Sequence, residues 1–78
     1  MAQTVETIAR ALAARAEGDL SLPIEGASEP QSAGPRQIAL AMSAKYIPGL
    51  AAGQALAAIL PEGTDWQALG LKAAIFVA

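Results

Sequence analysis

The residue pattern predicts an α/β domain: a small mixed β-sheet of about five strands with two main helices packed on it. Three observations carry that expectation. Ile38, Leu40 and Met42 alternate with Ala39 and Ala41, as in a strand covered by bulky side chains on one face and small ones on the other. Ala73-Ala-Ile-Phe-Val-Ala78 is a wholly apolar run of strand length. Val5, Ile8, Ala9, Leu12 and Ala16 fall on one stripe at helical spacing, with Glu6, Arg10 and Glu17 opposite.

Thr4 is the expected N-cap of the first helix, which should run to about Ala16. Glu6 suits the dipole of its first turn and pairs with Arg10 one turn on. Gly18 closes this helix or forms a tight turn with Asp19. Leu20, Leu22 and Ile24 then alternate with Ser21, Pro23 and Glu25, a half-buried strand that Pro23 confines to an edge or a bulge. Residues 27 to 35 carry two prolines and a glycine and read as loop, delivering the chain to the central strand, Gln37 to Met42. Beyond Ser43, Pro48 would sit in the second turn of a continuous helix. A single turn over 44 to 46, followed by a short helix that opens at Pro48, is therefore expected, with Leu50 inward and Gly53 at its end. Ala55 to Leu60 forms the next strand, and residues 61 to 64 a turn. Thr64 or Asp65 caps a brief helical segment with Trp66 and Leu69, and Ala73 to Ala78 is the last strand.

Seventy-eight residues make one domain, and a chain of this size buries only roughly 60% of the surface its unfolded form exposes. Twenty alanines imply a thin core with helices close to the sheet. The absence of Cys excludes disulfides, and the absence of His removes the commonest general base and zinc ligand. A net charge of −2 argues against a nucleic-acid surface. The charged residues of the first helix leave no secretory signal, and Lys45, Pro48, Gly49, Gly53 and Gln54 break the apolar run from Ile38 to Leu60, so no transmembrane segment is expected and the expected location is the cytoplasm. The chain ends inside an apolar strand, which suggests that it is the amino-terminal piece of a longer protein. There is no internal repeat, no phosphate-loop or nucleophile-elbow motif, and the acids are scattered. No catalytic residue, cofactor or metal site is expected in this segment by itself.

The candidate chemistry lies at the corner after the central strand, since ligands of open α/β sheets sit beyond the strands' carboxyl ends. Tyr46 can stack on a flat ring there, or simply pack the second helix on the sheet. Ser43 can bond a ligand carbonyl or cap the helix. Lys45 can meet a phosphate or stay in solvent, and Leu40 belongs to the core under either reading. Trp66 reads as an anchor for the short helix, its indole N–H requiring a partner if buried.

Glu17-Gly-Asp19, Ile24-Glu-Gly26-Ala27, Ala33-Gly-Pro35, the run from Ile38 to Tyr46, Ala55-Leu-Ala57 and Ala73-Ala-Ile-Phe-Val77 together resemble one known domain in order and spacing. It is the amino-terminal domain of the UDP-3-O-(3-hydroxyacyl)glucosamine N-acyltransferases of Gram-negative lipid A biosynthesis. The resemblance covers nearly the whole chain and implies a small α/β domain that holds the uridine of a UDP-sugar. The family corner reads Ile-Ser-Phe-Leu-x-Asn-Pro-Lys-Tyr; its Phe and Tyr contact the uracil and its Asn hydrogen-bonds it. By position Tyr46 and Lys45 match, while Leu40 stands at the Phe, Ser43 at the Asn and Ala44 at the Pro. Leu40 covers a base without an aromatic face, and Ser43 lacks the paired donor and acceptor of an amide. The resemblance further implies a following hexapeptide-repeat β-helix that forms a homotrimer, carries a histidine base and meets an acyl carrier protein. This chain contains neither repeats nor histidine and stops before the family's Asn-Pro-Tyr. The segment alone is then a non-catalytic recognition domain, monomeric in isolation. Two alternatives stay open: the UDP-binding first domain of a muramyl peptide ligase, whose usual Asp-Ser-Arg is replaced near Glu29-Pro-Gln, and a stand-alone interaction module.

Overall fold

A computed structural model describes residues 3 to 77. In chain order these form β1 (Gln3–Thr4), α1 (Val5–Leu12), β2 (Arg15–Gly18), β3 (Pro23–Ile24), β4 (Gly26–Ser28), β5 (Gln37–Leu40), a 3₁₀ helix (Ala44–Ala51), β6 (Ala57–Pro61) and β7 (Ala73–Val77). The main sheet has five strands in the order β2-β7-β6-β5-β4, and β1 pairs with β3 as a separate two-stranded ribbon. β4, β5, β6 and β7 run parallel, whereas β2 joins antiparallel to β7. The expected mixed sheet with two helices packed on it is what the chain forms.

Each central strand sends alternate residues to opposite faces. Ile38, Ala57, Ile59, Ala73 and Ile75 meet Val5 and Ala9 of α1 and Ile24 on one face. Ala39, Ala41, Ala58, Leu60, Ala74 and Phe76 meet Leu50, Leu71 and Ala33 on the other, with Ile47, Trp66 and Leu69 at its margin. The alanines of β5 thus bring the 3₁₀ helix close to the sheet, while its bulky residues face α1. Three layers result, with the parallel strands covered on both faces. Among the described residues no helix is long and apolar enough to cross a membrane.

The first helix starts as expected, with Thr4 Oγ1 accepting from the Thr7 N–H at 3.2 Å. It ends four residues early. Ala13 takes a left-handed conformation, φ 53°, and its N–H caps the carbonyls of Ala9 and Arg10. Arg15 to Gly18, expected to finish the helix, instead pair with Phe76 to Ala73. The apolar edge of β7 would otherwise present unpaired backbone groups, and supplying a partner outweighs the few tenths of a kcal/mol per residue of helix propensity in Ala and Glu. Gly18 ends this strand rather than a helix, at φ 95°. A Cβ there would collide with the Lys72 carbonyl, which accepts the Asp19 N–H at 2.8 Å.

The strand expected over Leu20 to Glu25 is reduced to Pro23–Ile24, on the small ribbon, because the Asp19 carboxylate and carbonyl draw Ser21 and Leu22 into a turn. Gly26 to Ser28, partly expected as loop, form β4 at the sheet edge. Pro48 does not open its helix but lies inside a 3₁₀ run that begins at Ala44. In 3₁₀ geometry the partner carbonyl is three residues back, and the longer rise draws the carbonyl four back away from the proline ring. Residues 66 to 70, expected as a brief helical segment, form hydrogen-bonded turns rather than a helix, and Asp65 Oδ1 accepts the Ala68 N–H at their start at 3.3 Å. Ala78, assigned by sequence to the last strand, lies outside the described residues.

Candidate functional site

β5 leads straight into the corner that the sequence singled out. The Ala41 N–H donates to the Ile59 carbonyl at 3.0 Å, so the ladder continues past Leu40 and carries Met42 to the strand's carboxyl end. Ser43 is extended (φ −138°, ψ 147°), and its carbonyl accepts the Tyr46 N–H at 2.9 Å, which opens the 3₁₀ helix. Its hydroxyl makes no capping bond. This short turn lifts Tyr46 out of the core, leaving it 47% exposed, with Met42 beside it 54% exposed.

Facing them is the loop after β4. The N–H groups of Ser32 and Ala33 both donate to the Glu29 carbonyl, at 3.1 and 2.9 Å, folding residues 29 to 33 into a turn. The Gln54 N–H donates to the Ala33 carbonyl at 2.8 Å, and Pro30 is buried against Gly49 and Gly53 of the 3₁₀ helix and its end. A Cβ on Gly53 would stand inside the contact radius of the Pro30 carbonyl oxygen, so this approach requires glycine. The loop is therefore fastened to the element that carries Tyr46.

Between the two lies an open cleft of about 370 Å³, lined by Glu29, Pro30, Gln31, Leu40, Met42 and Tyr46. Its size falls within the usual range for small-molecule sites, and its mixture of apolar walls with a few polar groups fits one flat ligand. On the far side of Leu40 an apolar groove of about 390 Å³ runs under Ile8 and Leu12 of α1.

Of the residues marked by sequence, Leu40 and Tyr46 line the cleft together. Lys45 and Ser43 are exposed and do not line it, although the Lys45 ammonium stands over the Tyr46 ring, 5.1 Å from its centroid. Such a contact at an exposed site contributes about 0.5–1 kcal/mol, and it leaves a cation beside the ring. Four lining residues were not marked. Met42 was within reach, because it continues the same-face alternation of Ile38 and Leu40. Glu29, Pro30 and Gln31 lie in a stretch whose composition says only loop, and a packing contact between distant segments brings them here.

A second cleft, beside β2 and β7, is lined by Arg15, Glu17, Thr64, Asp65, Trp66 and Phe76 among others. Its charged side chains, Thr64 and the Trp66 indole bond one another or nearby backbone, and among the described residues only the Gln67 amide on its wall makes no such bond. Arg15 pairs with Glu17 and with Glu62, the latter at 3.1 Å, and lies 4.4 Å from the Phe76 centroid. The indole N–H of Trp66 donates to Glu17 Oε1 at 3.2 Å, and the Thr64 hydroxyl to the Pro61 carbonyl at 2.8 Å. Trp66 thus has the anchoring role expected of it. Among the described residues no cluster of acidic side chains could hold a metal ion.

No protein-family model matches the chain. It is 55% identical, over all 78 residues, to a UDP-3-O-acylglucosamine N-acyltransferase of Ruegeria pomeroyi, covering 22% of that protein. It is 51% identical over 77 residues, 99% of the chain, to a protein of the same name from Paracoccus denitrificans, covering 21% of it. The whole chain is therefore homologous to a portion of these acyltransferases, and it spans about a fifth of the length of the curated relatives it matches.

Proposed function

We propose that this chain is the N-terminal substrate-recognition domain of a UDP-3-O-acylglucosamine N-acyltransferase of lipid A biosynthesis, and that the cleft at the end of β5 holds the uridine of the UDP-sugar. Its homology to that family along the full chain supports the assignment and favours it over a muramyl peptide ligase or a stand-alone module. The observation that carries the uridine reading is the pairing of an exposed phenol ring with Leu40 and Met42 across one cleft of suitable size, at the carboxyl end of a parallel strand. Tyr46 stacks on the base, and Leu40 and Met42 cover it as apolar surface. Lys45, whose ammonium already stands over one face of the ring, is within reach of the phosphates that follow the ribose. Ser43, whose hydroxyl is not used in capping, offers one further hydrogen bond at the mouth. Transfer of an acyl group from acyl carrier protein, the trimer and the histidine base belong, in this reading, to the rest of a longer cytoplasmic enzyme.

The test is a titration of the chain with uridine 5′-monophosphate followed by NMR. Shifts centred on Tyr46, Met42 and Leu40 are expected. Replacing Tyr46 by Ala should weaken binding about ten-fold or more, since stacking contributes about 1–3 kcal/mol per base. Unchanged spectra at millimolar nucleotide would overturn the proposal.

A further inference from the structure

The cleft has three apolar walls and a polar rim. Leu40, Met42 and the Tyr46 ring can cover a flat heterocycle, but the lone Tyr46 hydroxyl does not present a donor and an acceptor side by side as an amide does. The polar side chains at the rim are Glu29 and Gln31. An ionised carboxylate only accepts, so Glu29 leaves a ring carbonyl without a donor. Gln31 presents an N–H donor and a C=O acceptor side by side.

Gln31 is also unspent. Among the described residues its side-chain amide makes no hydrogen bond, whereas the Gln37 amide oxygen is engaged by the Gly34 N–H at 2.9 Å. The Gln31 backbone is held on both sides, by Pro30 packed against Gly49 and Gly53 and by the turn that closes on Glu29. Gln31 lines the cleft, with its Oε1 beside Gly49, 3.5 Å from where a Cβ of that residue would stand, so it sits on a rim where little backbone must be ordered when a ligand arrives.

We infer that Gln31 reads the edge of the ring in this cleft and selects a pyrimidine with adjacent carbonyl and ring N–H, as in uracil. Nε2–H donates to the exocyclic oxygen, and Oε1 accepts from the ring N3–H, giving two parallel bonds. This rests on the uridine reading above and adds the group that sets its specificity.

The experiment compares uridine 5′-monophosphate with its N3-methyl derivative, which keeps the stacking face and the phosphate but loses the ring donor. The wild-type chain is expected to bind the unmethylated nucleotide about ten-fold or more tightly, the discrimination typical of a two-point contact. Gln31→Ala and the equal-length Gln31→Met should bind both nucleotides alike, near the weaker wild-type level, with NMR fingerprints otherwise unchanged because the side chain is exposed. If either variant keeps the discrimination, or the wild type binds both nucleotides equally, the Gln31 role is overturned while the uridine reading stands. If the wild type binds neither, both fall.

Discussion

The clefts beside β2 and at the mouth of β5 are similar in kind: each joins an aromatic residue to charged neighbours on a strand end. They differ in what their polar groups do. Beside β2, Arg15, Glu17, Glu62, Thr64, Asp65 and Trp66 are bonded to one another or to nearby backbone. At the mouth of β5, among the described residues, the Tyr46 hydroxyl, the Gln31 amide and the Glu29 carboxylate make no such bonds, and two large apolar side chains stay half exposed. A surface whose groups satisfy each other stabilises the fold; one whose groups are fastened in position yet unpartnered is suited to a ligand. Sequence alone reads Trp66 as an anchor and leaves Tyr46 open between stacking on a ligand and packing on the sheet, and the bond from the Trp66 indole to Glu17 against the exposed Tyr46 ring separates them.

The strongest way to break this contrast is at the two tight glycines. Gly18→Ala and Gly53→Ala should each destabilise the chain by about 2 kcal/mol, because each new Cβ meets backbone rather than a movable side chain. Denaturant melts measure this. The difference between them lies in the ligand: at a temperature where both variants remain folded, Gly53→Ala should also weaken nucleotide binding by displacing the Pro30 rim, whereas Gly18→Ala should not.

A smaller effect sharpens the same division. Trp66→Ala should cost about 1–2 kcal/mol of stability, through lost packing on the buried cluster that includes Leu71 and Phe76 and the lost bond to Glu17 Oε1, with nucleotide affinity unchanged. Tyr46→Ala should do the reverse, leaving stability within about 0.5 kcal/mol because the ring is exposed. Equal losses of stability from both would remove the distinction.

The smallest expected effect concerns Asp19, which turns the chain after β2. The Ser21 hydroxyl, donating to its carboxylate at 2.6 Å, and then the Ser21 N–H at 3.1 Å hold its pKa below the ordinary value. A lowered folded-state pKa adds stability above the unfolded carboxylate's value, about 3.9, and that stability is lost as the pH falls through the folded value. Asp19→Asn should therefore lose stability less steeply than the wild type on acidification below about pH 4, as followed by circular dichroism.

The three central strands, the capped start of α1 and the corner at Ser43 were legible because each is a local pattern: alternation, a capping threonine, a break after a strand. Their side-chain periods hold whatever the rest of the chain does. The antiparallel edge strand Arg15–Gly18 was not legible, since nothing in those residues outbids helix until β7 offers an unpaired edge. Nor was the rim of the cleft: Gln31 and Tyr46 lie fifteen positions apart in the sequence, and only the seating of Pro30 on Gly53 brings them to one opening. Backbone pairing at a sheet edge and contact between distant loops are free-energy gains that exist only after the chain has closed on itself, so local order decided the layers and tertiary closure decided the site.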